Sequence, residues 1–385
     1  MWIYISVVFL TFLSFLYFYK RPNILAYNVI FIVVILIICF GYMCGSDWRT
    51  YEEIYNSYSV SNGAGFWWRF LYMEPLYLCL NIIGNELHLD FWLFYILIKM
   101  LIFIKIIDVF RKFCPLNLTL LAFTFFLGFW GIRNFIDPSF RNMIAVYVFL
   151  CGINWLINRN FKRYILLVVI ASLFHYSAII LLLFYFILHR EYSTKCIIIL
   201  FLCANIFLLD SDVIFKLISF LFSSIPTIAL KIESYTEGEG IRFAQGKIFS
   251  LGYLVHIIFF IIILYSRKRI EKLENGKFLF NVSVLFIFIF RMGLTILVFS
   301  RFQLYIICFY SIVVAYLMYS FANKYKLMYI SFVFLVSLYA VSSQMANIYY
   351  VPYTNILFYL DSDMSFEERD RFNLENSPYE MKIEE

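Results

Sequence analysis

The sequence predicts an all-α polytopic membrane protein, a bundle of about 10–12 transmembrane helices. Three observations carry that prediction. Of 385 residues, 63% are hydrophobic and only 15% charged, with a mean hydropathy of +0.84; a soluble domain keeps roughly half its residues apolar and about a quarter charged. Apolar runs long enough to cross a bilayer recur along the whole chain. Lys and Arg gather in alternate connections between those runs, the bias that orients membrane proteins.

A spanning helix needs ~20 mostly apolar residues, because the hydrocarbon core is ~30 Å thick and a helix rises ~1.5 Å per residue. Runs near 2–19, 24–42, 90–110, 116–132, 141–157 and 164–188 qualify, followed by 196–210, 213–230, 248–266, 278–299, 302–320 and 327–347. The first run has no basic leader and no small-residue cleavage site, so it reads as a retained span. Segment 75–87 is too short and too polar to cross alone and reads as re-entrant or interfacial. Asp210 and Asp212 separate the pair 196–210 and 213–230, the least continuous stretch of the set.

Lys20-Arg21, Lys105 with Arg111-Lys112, Arg159 with Lys162-Arg163, the cluster Arg267-Lys268-Arg269, and Lys324 with Lys326 all fall on one side of these spans. That side is predicted to be cytoplasmic. The opposite face then receives the loops 43–74, 133–141 and 231–247 and a polar acidic tail, 348–385, with the bundle filling 1–347 and both termini outside. No internal repeat of ~20–50 residues is visible.

Several function classes lose support at once. The formal charge of +6 is spread over short loops and forms no basic stripe, so nucleic acid is not an expected partner. Most cysteines lie inside apolar runs, without CxxC or Cys/His zinc spacing, so neither a disulfide framework nor a metal site is expected. No cofactor is expected either. No P-loop, GxGxxG, HExxH or GxSxG is present, which removes the usual signatures of nucleotide and hydrolase chemistry.

What remains is a set of charged residues assigned to the outer face or to membrane depth, where charge is costly and usually functional. Asp47, in Gly45-Ser46-Asp47-Trp48-Arg49-Thr50-Tyr51, would share a helical face with Tyr51 and Tyr55 if that loop is helical; a solvated loop is the plain alternative. Glu74-Pro75 precedes the short segment 75–87, and an acid before Pro at the first helical position is also an ordinary helix start. In Arg133-Asn134-Phe135-Ile136-Asp137-Pro138-Ser139-Phe140-Arg141, Asp137 reads as an N-cap, which puts Arg141 in the first turn of a span. A cation there opposes the helix dipole unless an anion binds between them; a local pair with Asp137, or snorkelling, is the rival account.

Arg291 sits inside an apolar run with no charged neighbour, and Arg301 at its outer end. Arg242 joins them from the loop 231–247. His175, in Phe174-His175-Tyr176-Ser177-Ala178, is mid-span, where a lone histidine is more often a packed, hydrogen-bonded residue than a catalyst. Lys99 and His256 are also placed within spans, with no partner visible in the sequence. Arginines and carboxylates on one face of a helical bundle suit an anionic substrate that arrives through the membrane, such as a lipid diphosphate.

At these same residues the chain resembles the EpsG/Wzy group of bacterial polysaccharide repeat-unit polymerases. The resemblance runs, in order, through Gly45-Ser46-Asp47 with Tyr51, Glu74-Pro75, Arg141-Asn142-Met143-Ile144-Ala145 and Asn158-Arg159 with Phe161. It continues through Ala171-Ser172-Leu173-Phe174-His175-Tyr176-Ser177-Ala178, Ser300-Arg301-Phe302 and Val351-Pro352-Tyr353. It implies a GT-C-like glycosyltransferase in the bacterial inner membrane, an O-antigen polymerase or a relative serving another surface polysaccharide. Such an enzyme moves a growing glycan from undecaprenyl diphosphate onto the next lipid-linked repeat unit at the periplasmic face. Donor and acceptor glycans, membrane lipid and a chain-length regulator protein are the partners it implies. Arg141, Arg133, Arg301 and Arg291 would then hold the leaving diphosphate, joined by Arg242 and Tyr51. Asp47 and Glu74 lead as general base, with His175 third. A lipid-linked oligosaccharide flippase or other transporter, and an O-antigen ligase, are the competing classes.

Overall fold

The computed structural model describes residues 1–57, 73–208 and 250–379, and helices dominate it. The chain divides into two compact units, Met1–Tyr185 with Val314–Glu385, and Phe186–Val313.

In the first unit, α1 (Trp2–Phe18) and α2 (Ile24–Ile38) follow one another, the second opened by Asn23, whose side chain accepts from Leu25 N and Ala26 N. A two-residue strand β1 (Gly41–Tyr42) leads to α3 (Asp47–Ser57). Next come α4 (Pro75–Glu86) and α5 (Phe91–Phe113), the latter capped by Asp90 and closed by Arg111 and Lys112 in its last turn. Cations there complement the negative end of the helix dipole. α6 (Leu116–Ile136) contains a π-turn over Leu127–Gly131. α7 (Phe140–Cys151) and α8 (Phe161–Phe174) follow, and α9 (Tyr176–Ile187) begins as a 3-10 turn immediately after His175.

In the second unit lie α10 (Thr194–Phe207), α11 (Leu251–Tyr265) and α12 (Gly276–Thr295), which pack together. A 3-10 segment, Leu297–Tyr305, packs back on α12. After α13 (Ile307–Ser320), the chain finishes in the first unit with α14 (Asn323–Met345), strand β2 (Thr354–Asn355) and α15 (Phe366–Asn376).

Among the described residues, α6, α12 and α14 are long and apolar enough to cross a membrane. A fourth span results if Phe299–Tyr305 and α13, bent by 65°, count as one. α1, α2, α7, α9, α10 and α11 are shorter apolar helices. Most expected runs contain a helix, although 141–157 is broken at Gly152 and 302–320 starts as the 3-10 segment, and the protein is an all-α, multi-pass membrane protein. The expected run 213–230 lies outside the described residues. The run 164–188 is one span by hydropathy but two helices in space, broken at His175.

The chain's two ends are tied together. β1 pairs antiparallel with β2, Gly41 opposite Asn355 and Tyr42 opposite Thr354. The segment 348–385, expected as a polar acidic tail, contains α15, started by a capping box between Ser365 and Glu368. Arg369 grips the Glu52 carboxylate with both guanidinium nitrogens, at 2.8 and 3.1 Å. Arg49 pairs with Asp370, and Asn373 donates to the carbonyls of Met43 and Tyr349. These contacts hold α15 against α3 and fix the loop that precedes it.

Candidate functional site

α4 starts at Pro75, whose missing N–H would be unsatisfied in a first helical turn anyway. Glu74 occupies the N-cap position in extended conformation, yet its side chain makes no capping bond to its own helix. It reaches across to two other elements. Arg141, in the first turn of α7, donates from Nη1 to Glu74 Oε2 at 2.6 Å. His175 Nδ1 lies 3.1 Å from Glu74 Oε1, and the Tyr176 N–H donates to the same oxygen at 3.4 Å.

The break between α8 and α9 makes this possible. At His175 the backbone leaves the helix for φ −157°, ψ 112°. A helix interruption in a membrane bundle needs its freed backbone groups satisfied inside the protein, and the Glu74 carboxylate takes the amide that the break exposes. α8 packs on both α4 and α7, so the three side chains meet where three elements converge.

Burial opposes ionisation of Glu74, but the hydrogen bond from His175 and the charge of Arg141 outweigh it and hold the carboxyl at about 2. Glu74 is therefore a carboxylate throughout the physiological range, and its side chain is only 4% exposed. An ionised carboxylate accepts, so His175 presents Nδ1–H to it, and the neutral ring then carries its lone pair on Nε2. That Nε2 is buried and has no hydrogen-bond partner within the described residues. Arg141 Nε is likewise buried without a partner, while the side chain as a whole is one-third exposed. Together these atoms form a carboxylate-oriented imidazole beside a guanidinium that one carboxylate leaves incompletely used.

Tyr51 frames the same site. Its hydroxyl accepts from the Phe140 N–H at 3.0 Å, at the start of α7, and interacts with Arg141. Burial first, and the neighbouring Asp47 charge second, push the Tyr51 phenol up, so it stays neutral. The expected face of α3 is present: the segment is helical, Tyr51 and Tyr55 are buried along it, and Asp47 is its first residue.

Asp137 corrects its expected role. Its carboxylate does not cap the helix that follows; α7 opens at Phe140 after Ser139, without a side-chain cap. Asp137 Oδ1 instead accepts from Ser46 N at 3.0 Å and Asp47 N at 2.9 Å, so it caps α3, some 90 residues away. Tyr350 OH donates to its Oδ2 at 3.0 Å. Gly45 sits against this carboxylate at φ +91°, where a Cβ would lie 2.4 Å from Asp137 Oδ1; both the backbone conformation and the space exclude a larger residue.

The remaining candidates distribute as follows. Arg133 is exposed on α6 and interacts with Tyr350, next to Asp137. Arg291 and Arg301 belong to the second unit. Arg291 is 2% exposed and spends its donors on Asn205 Oδ1 (3.2 Å), Thr295 Oγ1 (2.8 Å) and the Leu208 carbonyl (2.6 Å). Arg301 is exposed at the 3-10 segment. Arg242 lies outside the described residues. Lys99 is buried with its ammonium 4.6 Å from the Tyr95 ring, and His256 Nδ1 is 2.7 Å from Tyr310 OH.

Sequence reasoning named Glu74, Arg141 and His175 separately and missed that one carboxylate joins them. The clue was modest: Glu74 precedes a helix whose N-terminus it would ordinarily cap. Asp137, Tyr350 and Arg369 were missed as supports of α3. Only the Ser365-x-x-Glu368 capping box gave a local sign of α15.

Comparison with known proteins gives one match. The model of a family described as EpsG matches residues 24–355 of the 385. No curated protein and no solved structure matches the chain.

Proposed function

The chain belongs to the EpsG family, and from that premise and the Glu74–His175–Arg141 geometry we propose a membrane glycosyltransferase that polymerises undecaprenyl-diphosphate-linked oligosaccharide repeat units at the periplasmic face. In this reading an acceptor sugar hydroxyl attacks the anomeric carbon of the donor glycan. The new glycosidic bond forms as the bond to undecaprenyl diphosphate breaks, and the diphosphate leaves with the electron pair. His175 Nε2 takes the hydroxyl proton, and Glu74 keeps the ring in the required tautomer and stabilises the imidazolium that results.

Negative charge grows on the departing diphosphate, so a guanidinium placed there binds the transition state more tightly than the ground state. Arg141 has that role, and its planar fork suits phosphate oxygens. Arg133, in the same unit, is assigned to the same polyanion at longer range. The roles of base and orienter are thereby reversed from the sequence-based order: Glu74, ionised and tied to two partners, orients, while His175 carries the basic lone pair.

One observation supports this reading above the rest: a single buried carboxylate bridges Arg141 and His175 and leaves His175 Nε2 without a partner among the described residues. Glycan length profiling of a deletion strain complemented with wild-type or Arg141→Ala copies tests it. The variant should reach the membrane in normal amount and leave only single repeat units on the carrier, exposed at the outer face. Units trapped at the inner face would indicate a flippase, long chains left on the carrier a ligase, and normal long glycans would remove Arg141 from the reaction.

A further inference from the structure

A second feature of the first unit lies away from this site. α2 and α5 enclose a groove of about 700 Å³, within the ~300–1,000 Å³ typical of ligand sites. Near the end of α5, Arg111 donates to Asn28, near the start of α2; from that point the two helices run in opposite directions. Away from it the walls are apolar, built from Phe31, Ile35 and Leu36 on one side and Leu101 and Ile104 on the other. Leu36 is 40% exposed, Leu101 55% and Ile104 51%, so the rim of the groove faces the surroundings of the bundle, while Phe31 and Ile35 are buried at its floor.

The groove has one charged end. Lys105 is neutralised by Asp108 at 2.6 Å. Arg111 has no carboxylate partner among the described residues; it holds Asn28 and stands 5.5 Å from the Phe31 ring. Lys20 and Arg21, both exposed, come just before α2. Arg111 spends one donor on Asn28, and a guanidinium has five, so donors remain for an anion. From Asn28 to Leu36 the groove rises about 12 Å, at ~1.5 Å per residue, close to the ~15 Å that one leaflet contributes to a ~30 Å hydrocarbon core.

We propose that this groove binds one anionic phospholipid of the leaflet at its charged end. The phosphate sits against Arg111, and an acyl chain lies along Phe31 and Ile35 of α2 and Leu101 and Ile104 of α5. The occupant follows from the match of cation, apolar length and leaflet depth, and does not depend on the catalytic reading.

Native mass spectrometry of the purified full-length protein, offered phosphatidylglycerol and phosphatidylethanolamine in equal amounts, tests it. The wild type should retain phosphatidylglycerol preferentially. Each cation near a membrane surface contributes on the order of 1 kcal/mol, so Arg111→Gln should cut that preference about fivefold. Ile104→Trp leaves every charge in place and fills the apolar part, and should also lower retention; it keeps the test decisive if Arg111→Gln fails to fold. Equal retention of the two lipids by the wild type overturns the proposal, as does unchanged retention in both variants. Displacement of phosphatidylglycerol by an equal amount of undecaprenyl phosphate overturns the assigned occupant.

Discussion

Arg141 and Arg291 are both arginines of apolar helices, and the sequence separates them only by the place of Arg141 in a first helical turn. Their surroundings differ in kind. Arg291, 2% exposed, is satisfied by an amide oxygen, a hydroxyl and a carbonyl. Arg141 has one strong partner, Glu74, an unused buried Nε, and a side chain one-third exposed. An arginine whose donors are spent on neutral groups of its own unit holds that unit together. One with donors left over, beside a carboxylate-oriented histidine, is prepared for an anion. Donor accounting, not depth, separates a structural cation from a reactive one.

Five experiments would break or sharpen that contrast. The greatest loss should follow from His175→Ala, which removes the proposed base and is expected to lower polymerisation by ~10²–10⁴-fold in a membrane assay with defined lipid-linked units. Glu74→Gln should fall in the same direction but less far, since the ring remains. Equal activity of His175→Ala and wild type would dissociate the histidine from the chemistry. Arg141→Ala should cost ~10²–10³-fold and also lower the unfolding midpoint, because the buried Glu74 carboxylate loses its cation. Arg141→Lys should restore stability but little activity if two-pronged phosphate contact matters.

Arg291→Met should cost stability and leave activity intact. It removes the three bonds of one guanidinium, while the Leu208 carbonyl keeps Thr295 Oγ1 and the Asn205 amide oxygen keeps the Tyr253 hydroxyl as donors, a loss of about 1 kcal/mol per bond. That should appear as a lower unfolding midpoint in detergent, with activity per folded molecule retained. A folded, inactive Arg291→Met would erase the contrast and bring the second unit's arginine into the reaction.

The smallest effect concerns pH. The Glu74 carboxyl is depressed from 4.5 to about 2, so its contribution to stability is fully present above about 4.5 and is lost as pH falls through 2. The unfolding midpoint should therefore show no Glu74 component from neutrality down to 4.5 and a decline below it that Glu74→Gln lacks. A Glu74-dependent slope near neutrality would mean that the carboxylate is not held by Arg141 and His175 as described.

Much of the architecture was legible beforehand. The runs 2–19 and 24–42 became α1 and α2, 90–110 became α5, and 327–347 became α14. The residues of the site were legible as types and as individuals, but their grouping was not. The break at His175 is invisible to hydropathy because Phe, Tyr, Ala and Ile continue on both sides of it. The role of Asp137 was misassigned because Asp-Pro before an apolar run looks like a local cap, whereas the N–H donors that it serves, at Ser46 and Asp47, are some 90 residues away.

The amino-acid order settles which segments are helical and buried in lipid, since hydrophobicity and capping act within a turn or two of chain and add along it. The pairing of Arg141 with Glu74 across 67 positions, and of His175 with Glu74 across 101, has no local signature. It arises from how α4, α7 and α8 pack, because a buried charge takes whichever partner the assembled helices bring within reach.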